Sequence, residues 1–292
     1  MAERFSAKRV PRKLALLFGI GALLGAALIG WMYRTATADP VVRRTVVALP
    51  GLSRPLRAVL ISDIHVGGPD MPPARLSRIV TQINALAPDL VLIAGDLISD
   101  KRTGTRRYGY REALAPLAAL RARIGVYAVL GNHDHWRDAD EARRELRRNG
   151  ISVLDNDAIQ AGPVALGGLD DDFTGRADVP RTVARLRSLS GPQILVSHSP
   201  DPFPEVPADV RLMAAGHTHC GQIRLPFYGA VASVTAYGER LECGRVDEGG
   251  RTLVVSAGLG TSGVPLRLLA VPDLWVIELR PAPAPGPRRR SR

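Results

Sequence analysis

Seven residues at five places in the chain have the types and spacing of metal ligands. They are Asp63 and His65 in Asp63-Ile64-His65, Asp96 after Gly95, Asn132 in Gly131-Asn132-His133-Asp134, His198 after Ser197, and His217 and His219 in Gly216-His217-Thr218-His219. Carboxylate and amide oxygens mixed with imidazole nitrogens suit borderline divalent ions such as Mn, Fe or Zn. Residues two apart in an extended segment point to one side, so Asp63 and His65 can grip one ion. His217 and His219 can share a side or face different ions. A carboxylate at Asp96 can bridge two ions, which a neutral ligand does less well. Two ions side by side are a device for hydrolysing phosphate esters. His133 is expected beside the metals rather than on them, with Asp134 placed to orient its imidazole. His135, the remaining histidine, reads as a bystander or a supporting residue.

These residues need a scaffold that delivers them to one place. Most follow an apolar run, as expected at the carboxyl ends of strands in an α/β sheet, where ligands bind. Strand-like runs fall at Val41–Leu49, Arg57–Ser62, Asp89–Ala94, Val126–Leu130, Val164–Leu169, Gln193–Ser197 and Arg211–Ala215, then at Ile223–Leu225, Leu253–Ser256 and Leu274–Leu279. Helical spacing falls at Pro73–Leu86, Tyr110–Arg123, Asp138–Asn149 and Val179–Leu189. Near-continuous apolar runs such as LVLIA mark strands buried on both faces. The alternation indicates an α/β fold with enough strand for a second sheet. Asp170–Asp172 and Gly258–Leu266 read either as cleft-lining segments or as ordinary turns.

The termini carry a different message. Leu14 to Tyr33 is a twenty-residue run without charge, long enough to cross a bilayer as a helix. Five basic residues precede it, which by the positive-inside rule keeps the N-terminus cytoplasmic and exports the rest. Ala36-Thr37-Ala38 offers the competing reading of a signal-peptide cleavage site; the length of the run and the intervening Arg34 favour an uncleaved anchor. The organisation expected is a basic segment 1–13, a transmembrane helix 14–33, a linker and first edge strand 34–56, one catalytic domain 57–280, and a disordered Pro/Arg tail 281–292. The net charge of +11 is concentrated in the two terminal segments. Little net positive charge is left to the domain, so nucleic acid is not an expected partner. Cys220 and Cys243 are read as two thiols, with a bridge between them open in an oxidising compartment.

The order D-x-H, GD, GNHD, H, GHxH resembles the calcineurin-like metallophosphoesterase superfamily over about Arg57 to Gln222. The spellings VLISDIH, GNHDHW, GHTHCGQI and GLGTSGVPLRL resemble the membrane-associated or exported bacterial branch of YkuE-like phosphohydrolases, extending the likeness to Leu268. Cys220 departs from that branch, where Gly is usual. The resemblance implies a four-layer α/β/β/α sandwich behind one transmembrane helix. It implies two divalent metal ions: Asp63, His65, Asp96 and His219 on one, and Asp96, Asn132, His198 and His217 on the other. His133 would face the phosphate. The implied activity is hydrolysis of a phosphoester by a hydroxide shared between the ions, at the extracytoplasmic face of the inner membrane. A lipid-linked or envelope phosphoester is the expected substrate. UDP-2,3-diacylglucosamine cleavage in lipid A synthesis is the alternative, and a metal-binding module without turnover is the second.

Overall fold

The computed structural model describes residues 12–282. Most of the basic segment before Arg12, and the Pro/Arg tail from residue 283, lie outside the described residues.

The first sheet is built from β1 (Val41–Leu49), β2 (Leu56–Ile61), β3 (Leu90–Ala94), β4 (Gly125–Val129), β5 (Ser152–Val153) and β14 (Asp273–Pro281), in the order β1-β14-β2-β3-β4-β5. Strands β2 to β5 run parallel, while β14 pairs antiparallel with β2. The second sheet has β6 (Asp157–Ala161), β7 (Val164–Gly168), β8 (Gln193–Val196), β9 (Val210–Ala215), β12 (Gly244–Glu248) and β13 (Arg251–Val255), in the order β12-β13-β9-β8-β7-β6. Its four inner strands are parallel and its two edges antiparallel. A short hairpin, β10 (Arg224–Leu225) with β11 (Gly229–Ala230), stands apart.

Strand periodicity builds the layers. In β2, Leu56, Ala58 and Leu60 enter a core shared with Ile194, Leu212 and Ala214 of the second sheet, whereas Val59 and Ile61 face helices. Those helices are α2 (Pro73–Ala85), α3 (Tyr110–Leu114) and α5 (Ala139–Arg148), which bury Leu76, Ile79, Ile83, Ala113, Ala142 and Leu146. On the far side of the second sheet, Val183 and Leu186 of α6 (Val179–Arg187) pack on Leu195, Met213 and Val255. The result is the expected α/β/β/α sandwich, its inner strands β2, β3, β7, β8, β9 and β13 buried on both faces.

Some elements differ from the sequence expectation. The helix expected over Tyr110–Arg123 stops at Leu114 and continues as a 3-10 turn over Ala115–Ala119. Pro116 lacks an N–H and crowds the preceding turn. The edge strands β6 and β12 were not anticipated, because DAIQA and GRVDE carry polar residues on their exposed sides. A short helix, α4 (Asn132–Arg137), begins at the ligand-bearing turn. Cys220 and Cys243 are not thiols: they are joined in a disulfide with Cα atoms 4.7 Å apart. Cys220 has φ 52, the left-handed region that glycine favours.

Helix α1 (Arg12–Thr37) is longer than the apolar run and exposes Leu16, Leu17, Phe18, Leu23 and Leu24. It is long and apolar enough to cross a membrane. Its last turns dock on the domain. Met32 and Ala36 are buried, Met32 O accepts from the Arg267 amide at 3.1 Å, and Tyr33 Oη donates to Pro69 O at 3.4 Å.

Candidate metal centre

The parallel strands β2, β3 and β4 of one sheet and β8 and β9 of the other end at a common rim, and the expected ligands lie in the turns just beyond. Five of these residues take left-handed backbone: Asp63 (φ 47), His65 (φ 47), Asp96 (φ 55), His217 (φ 71) and His219 (φ 51). For non-glycine residues this costs on the order of 1–3 kcal/mol each and persists only where the surroundings enforce it. Neighbouring turns enforce it here. The Asp63 amide donates to Gly95 O at 3.0 Å, His65 N to Asp96 O at 2.9 Å, and Gly216 N to His198 O at 2.9 Å. Two glycines make the close approach possible. A Cβ on Gly95 would stand 2.6 Å from His198 Nδ1, and one on Gly216 would strike the Asp63 carboxylate.

The side chains converge on two clusters. Asp63, His65 and His219 form one, Asp96, His198 and His217 the other, and His65, Asp96 and His133 connect them; within each group the ligand atoms lie within 4.8 Å. Asp96 Oδ2 is 3.4 Å from His65 Nε2 and 3.4 Å from His198 Nε2, so one carboxylate oxygen touches both clusters. His219 Nε2 is 3.2 Å from His65 Nε2 and 3.5 Å from Asp63 Oδ1. Asn132 Oδ1 and His217 Nδ1 each stand 3.0 Å from His198 Nε2. All the ligand residues expected from the sequence therefore meet, and all are buried.

The donor set fits divalent cations. His198 Nδ1 faces Ala94 O at 2.8 Å and must donate to it, which leaves Nε2 as a lone pair in the neutral ring. That lone pair would confront the Asn132 oxygen and the Asp96 carboxylate, with His217 Nδ1 beside them. Such a crowding of oxygen acceptors suits a positive charge, a proton or a metal. Electrostatics say the same. Burial disfavours the His198 cation, but Asp96 and Asp63 outweigh it and raise the group to about 10. Burial also opposes the Asp96 charge, yet the facing His198, His65 and His133 hold its carboxyl well below the ordinary value. Burial pushes Asp63 up to about 6 and lowers His217 to about 3, and it keeps His65 and His219 neutral. Neutral imidazoles are the metal-binding form. His217 Nε2 is buried without a partner.

His133 stands at the mouth, its side chain 14% exposed, with Nε2 3.9 Å from Asp96 Oδ2. Its Nδ1 pairs with Asp100 Oδ1 at 2.7 Å. This corrects the role expected of Asp134. The Asp134 carboxylate turns away from the imidazole and accepts the backbone amides of Leu97 and Gly131, each at 3.1 Å. Burial first, and then Asp96, raise it to about 7. Asp134 ties the β3 and β4 turns together, and Asp100 is the residue that orients His133. Asp100 lies four residues after Asp96 with no motif to mark it. His135 pairs with Asp170 at 2.6 Å, so Asp170 supports α4 from the second sheet's side.

Above the clusters lies a cleft of ≈ 420 Å³ with a polar floor and an apolar wall. The floor is Asp96, Asn132, His133, His217 and His219; the wall includes Trp136, Phe173, Ile223, Val231 and Val234. Of the two segments left open in the sequence, Gly258–Leu266 contributes Ser262 to the lining, while Asp170–Asp172 lies outside it.

With this geometry in view, the family is plain. A family model described as calcineurin-like phosphoesterase matches residues 56–221, more than half of the chain, and the chain belongs to that family. It is a metallophosphoesterase, a phosphoester hydrolase by class. An uncharacterized metallophosphoesterase of Bacillus subtilis, YkuE, is 33% identical over 70% of this chain and 72% of its own length. An uncharacterized metallophosphoesterase of Helicobacter pylori strain J99 is 29% identical over 87% of this chain and 69% of its own. A zebrafish (Danio rerio) "transmembrane protein with metallophosphoesterase domain" is 31% identical over 80% of this chain, which spans about half, 55%, of that relative.

Proposed function

We propose that this chain is a membrane-anchored hydrolase that uses two divalent ions to cleave a phosphoester of a lipid or envelope metabolite on the extracytoplasmic side. The single observation that carries the reading is Asp96, one carboxylate oxygen in reach of ligands from both clusters. Asp63, His65, Asp96 and His219 would hold one ion, and Asp96, Asn132, His198 and His217 the other. The ions, when bound, supply charge neutralisation for the phosphoryl oxygens and a lowered pKa for water.

The chain's own groups do the rest. Asp100 accepts from His133 Nδ1, which fixes the imidazole with Nε2 aimed over the clusters. From there the protonated ring can donate to the leaving oxygen. The His133 amide donates to Asp96 Oδ1 at 2.9 Å, and the His217 amide donates to Asp63 Oδ2 at 3.0 Å. These bonds hold the carboxylates while their charge is shared. The apolar wall excludes water and fits the organic portion of the ester.

Anchorage is supported by α1 and by a relative named as a transmembrane protein. Ala36, in the competing cleavage motif, is fully buried within a helical turn, which favours retention of the helix. Export is supported by the Cys220–Cys243 disulfide, since such bonds persist in oxidising compartments. Nothing in the cleft or the relatives favours UDP-2,3-diacylglucosamine.

The test is a panel of phosphomonoesters, phosphodiesters, phospholipids and UDP-diacylglucosamine, each with Mn, Fe or Zn. Chelator-sensitive hydrolysis of at least one lipid or envelope phosphoester is expected. Full metal loading with no turnover of any ester would establish the non-catalytic reading instead. Alkaline phosphatase and GFP fusions at the C-terminus read the topology: an active phosphatase and a dark GFP are expected.

A further inference from the structure

The hairpin beside the cleft has a surface that the site itself does not need. Phe227 is fully exposed, Tyr228 is 72% exposed, and Leu225 is exposed beside them. From Leu225 to Gly238 the chain carries no charge. The neighbouring segment adds exposed Val264 and Leu269; its one charge, Arg267, is buried, its guanidinium spent on the carbonyls of Ala257, Gly260 and Ala270. Together these form one apolar face rather than scattered exposed residues, and such faces mark interaction surfaces.

The occupant is indicated by what the face is attached to. The Arg267 amide bonds Met32 O, at the end of the apolar helix α1, and the next residue, Leu268, exchanges backbone bonds with Gln222 and Arg224 of the hairpin. The membrane helix and the hairpin are thus one residue apart on a shared segment. Basic residues adjoin it. Thr103 Oγ1 donates to Gly263 O at 2.7 Å, and this places the loop with exposed Arg102 and Arg107 against the same segment. Aromatic tips with a basic border suit a membrane interface with anionic headgroups. The hairpin's inner side, Ile223, Val231 and Val234, is the apolar wall of the cleft. The disulfide closes the excursion at its base.

We infer that the β10–β11 hairpin, with Val264 and Leu269, rests in the lipid interface, so that the cleft opens to the bilayer and takes its phosphoester from an amphiphile lodged there. The lipid contact stands independently; the substrate class rests on the hydrolase reading above.

The test uses the full chain, with its disulfide intact, in phosphatidylcholine–phosphatidylglycerol nanodiscs. Bimane is attached at Tyr228→Cys, and at Ser188→Cys beyond α6 as the reference. Doxyl lipid labelled near the headgroup should quench the probe at 228 by half or more and leave that at 188 unchanged, while aqueous iodide should do the reverse. Iodide access at 228 equal to that at 188 would overturn the inference, as would protection from both quenchers, which would indicate a protein cover. A second arm compares hexadecyl p-nitrophenyl phosphate in the disc with soluble bis-p-nitrophenyl phosphate. Phe227→Asp with Tyr228→Asp should slow the first tenfold or more and the second less than twofold. Equal loss on both would overturn the delivery role. No hydrolysis of either ester by the unmodified chain would overturn the hydrolase reading, leaving the quenching result to decide the lipid contact.

Discussion

The first sheet presents oxygen donors and two imidazoles to the rim, Asp63, Asp96, Asn132, His65 and His133, while the second presents imidazoles alone, His198, His217 and His219. Neither sheet completes either of the two outer clusters: Asp63 and His65 need His219, and Asp96 needs His198 and His217. The site is therefore a product of sheet-on-sheet packing. The core between the sheets, from Leu60 to Ala214, is what holds carboxylates against imidazoles. The division also sorts the charges. Among the expected ligands the carboxylates come from the first sheet, and the second answers with a histidine, His198, that Asp96 and Asp63 drive towards the cation.

Breaking the contact from the second sheet should have the largest effect. His198→Ala removes the group that faces Asp96, Asn132 and His217 together, and turnover should fall by about a thousandfold, several kcal/mol of lost transition-state stabilisation. A loss under tenfold would show that the second cluster is dispensable. At the mouth, His133→Ala should cost about a hundredfold in kcat with metal content retained. Asp100→Asn should cost about tenfold and distort the pH profile, whereas Asp134→Asn should act on stability more than on the profile. If Asp134→Asn instead moves the profile as Asp100→Asn is expected to, the orienting roles are reversed.

That pair also marks where the sequence stopped being readable. The ligands were legible because each sits in a short motif after an apolar strand, and strand ends converge by topology. Asp134 was misassigned because adjacency in sequence was taken for adjacency in space; α4 turns its carboxylate inward to Leu97 and Gly131. The left-handed turns at Asp63, His65 and Asp96 have no sequence mark, since they are imposed by bonds between turns rather than by glycine. The apolar wall was hidden because Trp136, Phe173 and Val231 come from a short helix and two loops far apart in the chain. The edge strands β6 and β12 were hard to read because DAIQA and GRVDE are short and carry few strongly apolar residues.

The charge difference between the sheets has a consequence for stability without metal. The His198 pKa is raised in the folded chain to about 10 from an ordinary 6.5, so its contribution is complete below pH 6.5 and is lost as pH rises towards 10. Between pH 7 and 9 the chelated protein should lose stability steadily as the pH rises and this proton leaves. Denaturant titration at several pH values measures it, and His198→Gln should flatten the slope. An unchanged slope in that variant would place the proton elsewhere. The smallest effect is expected from the wall: Trp136→Ala should raise KM for aryl or alkyl esters a few-fold and leave kcat near its starting value. A kcat loss as large as that of His133→Ala would mean that the wall acts on the chemistry and not only on binding.

The central claim is that Asp96 joins two ions across the two sheets, and metal stoichiometry tests it most directly. Purified chain loaded with Mn or Zn should hold two ions, and Asp96→Asn should hold one or fewer, with hydrolysis of bis-p-nitrophenyl phosphate reduced to near background. A variant that keeps two ions and full turnover would contradict the account.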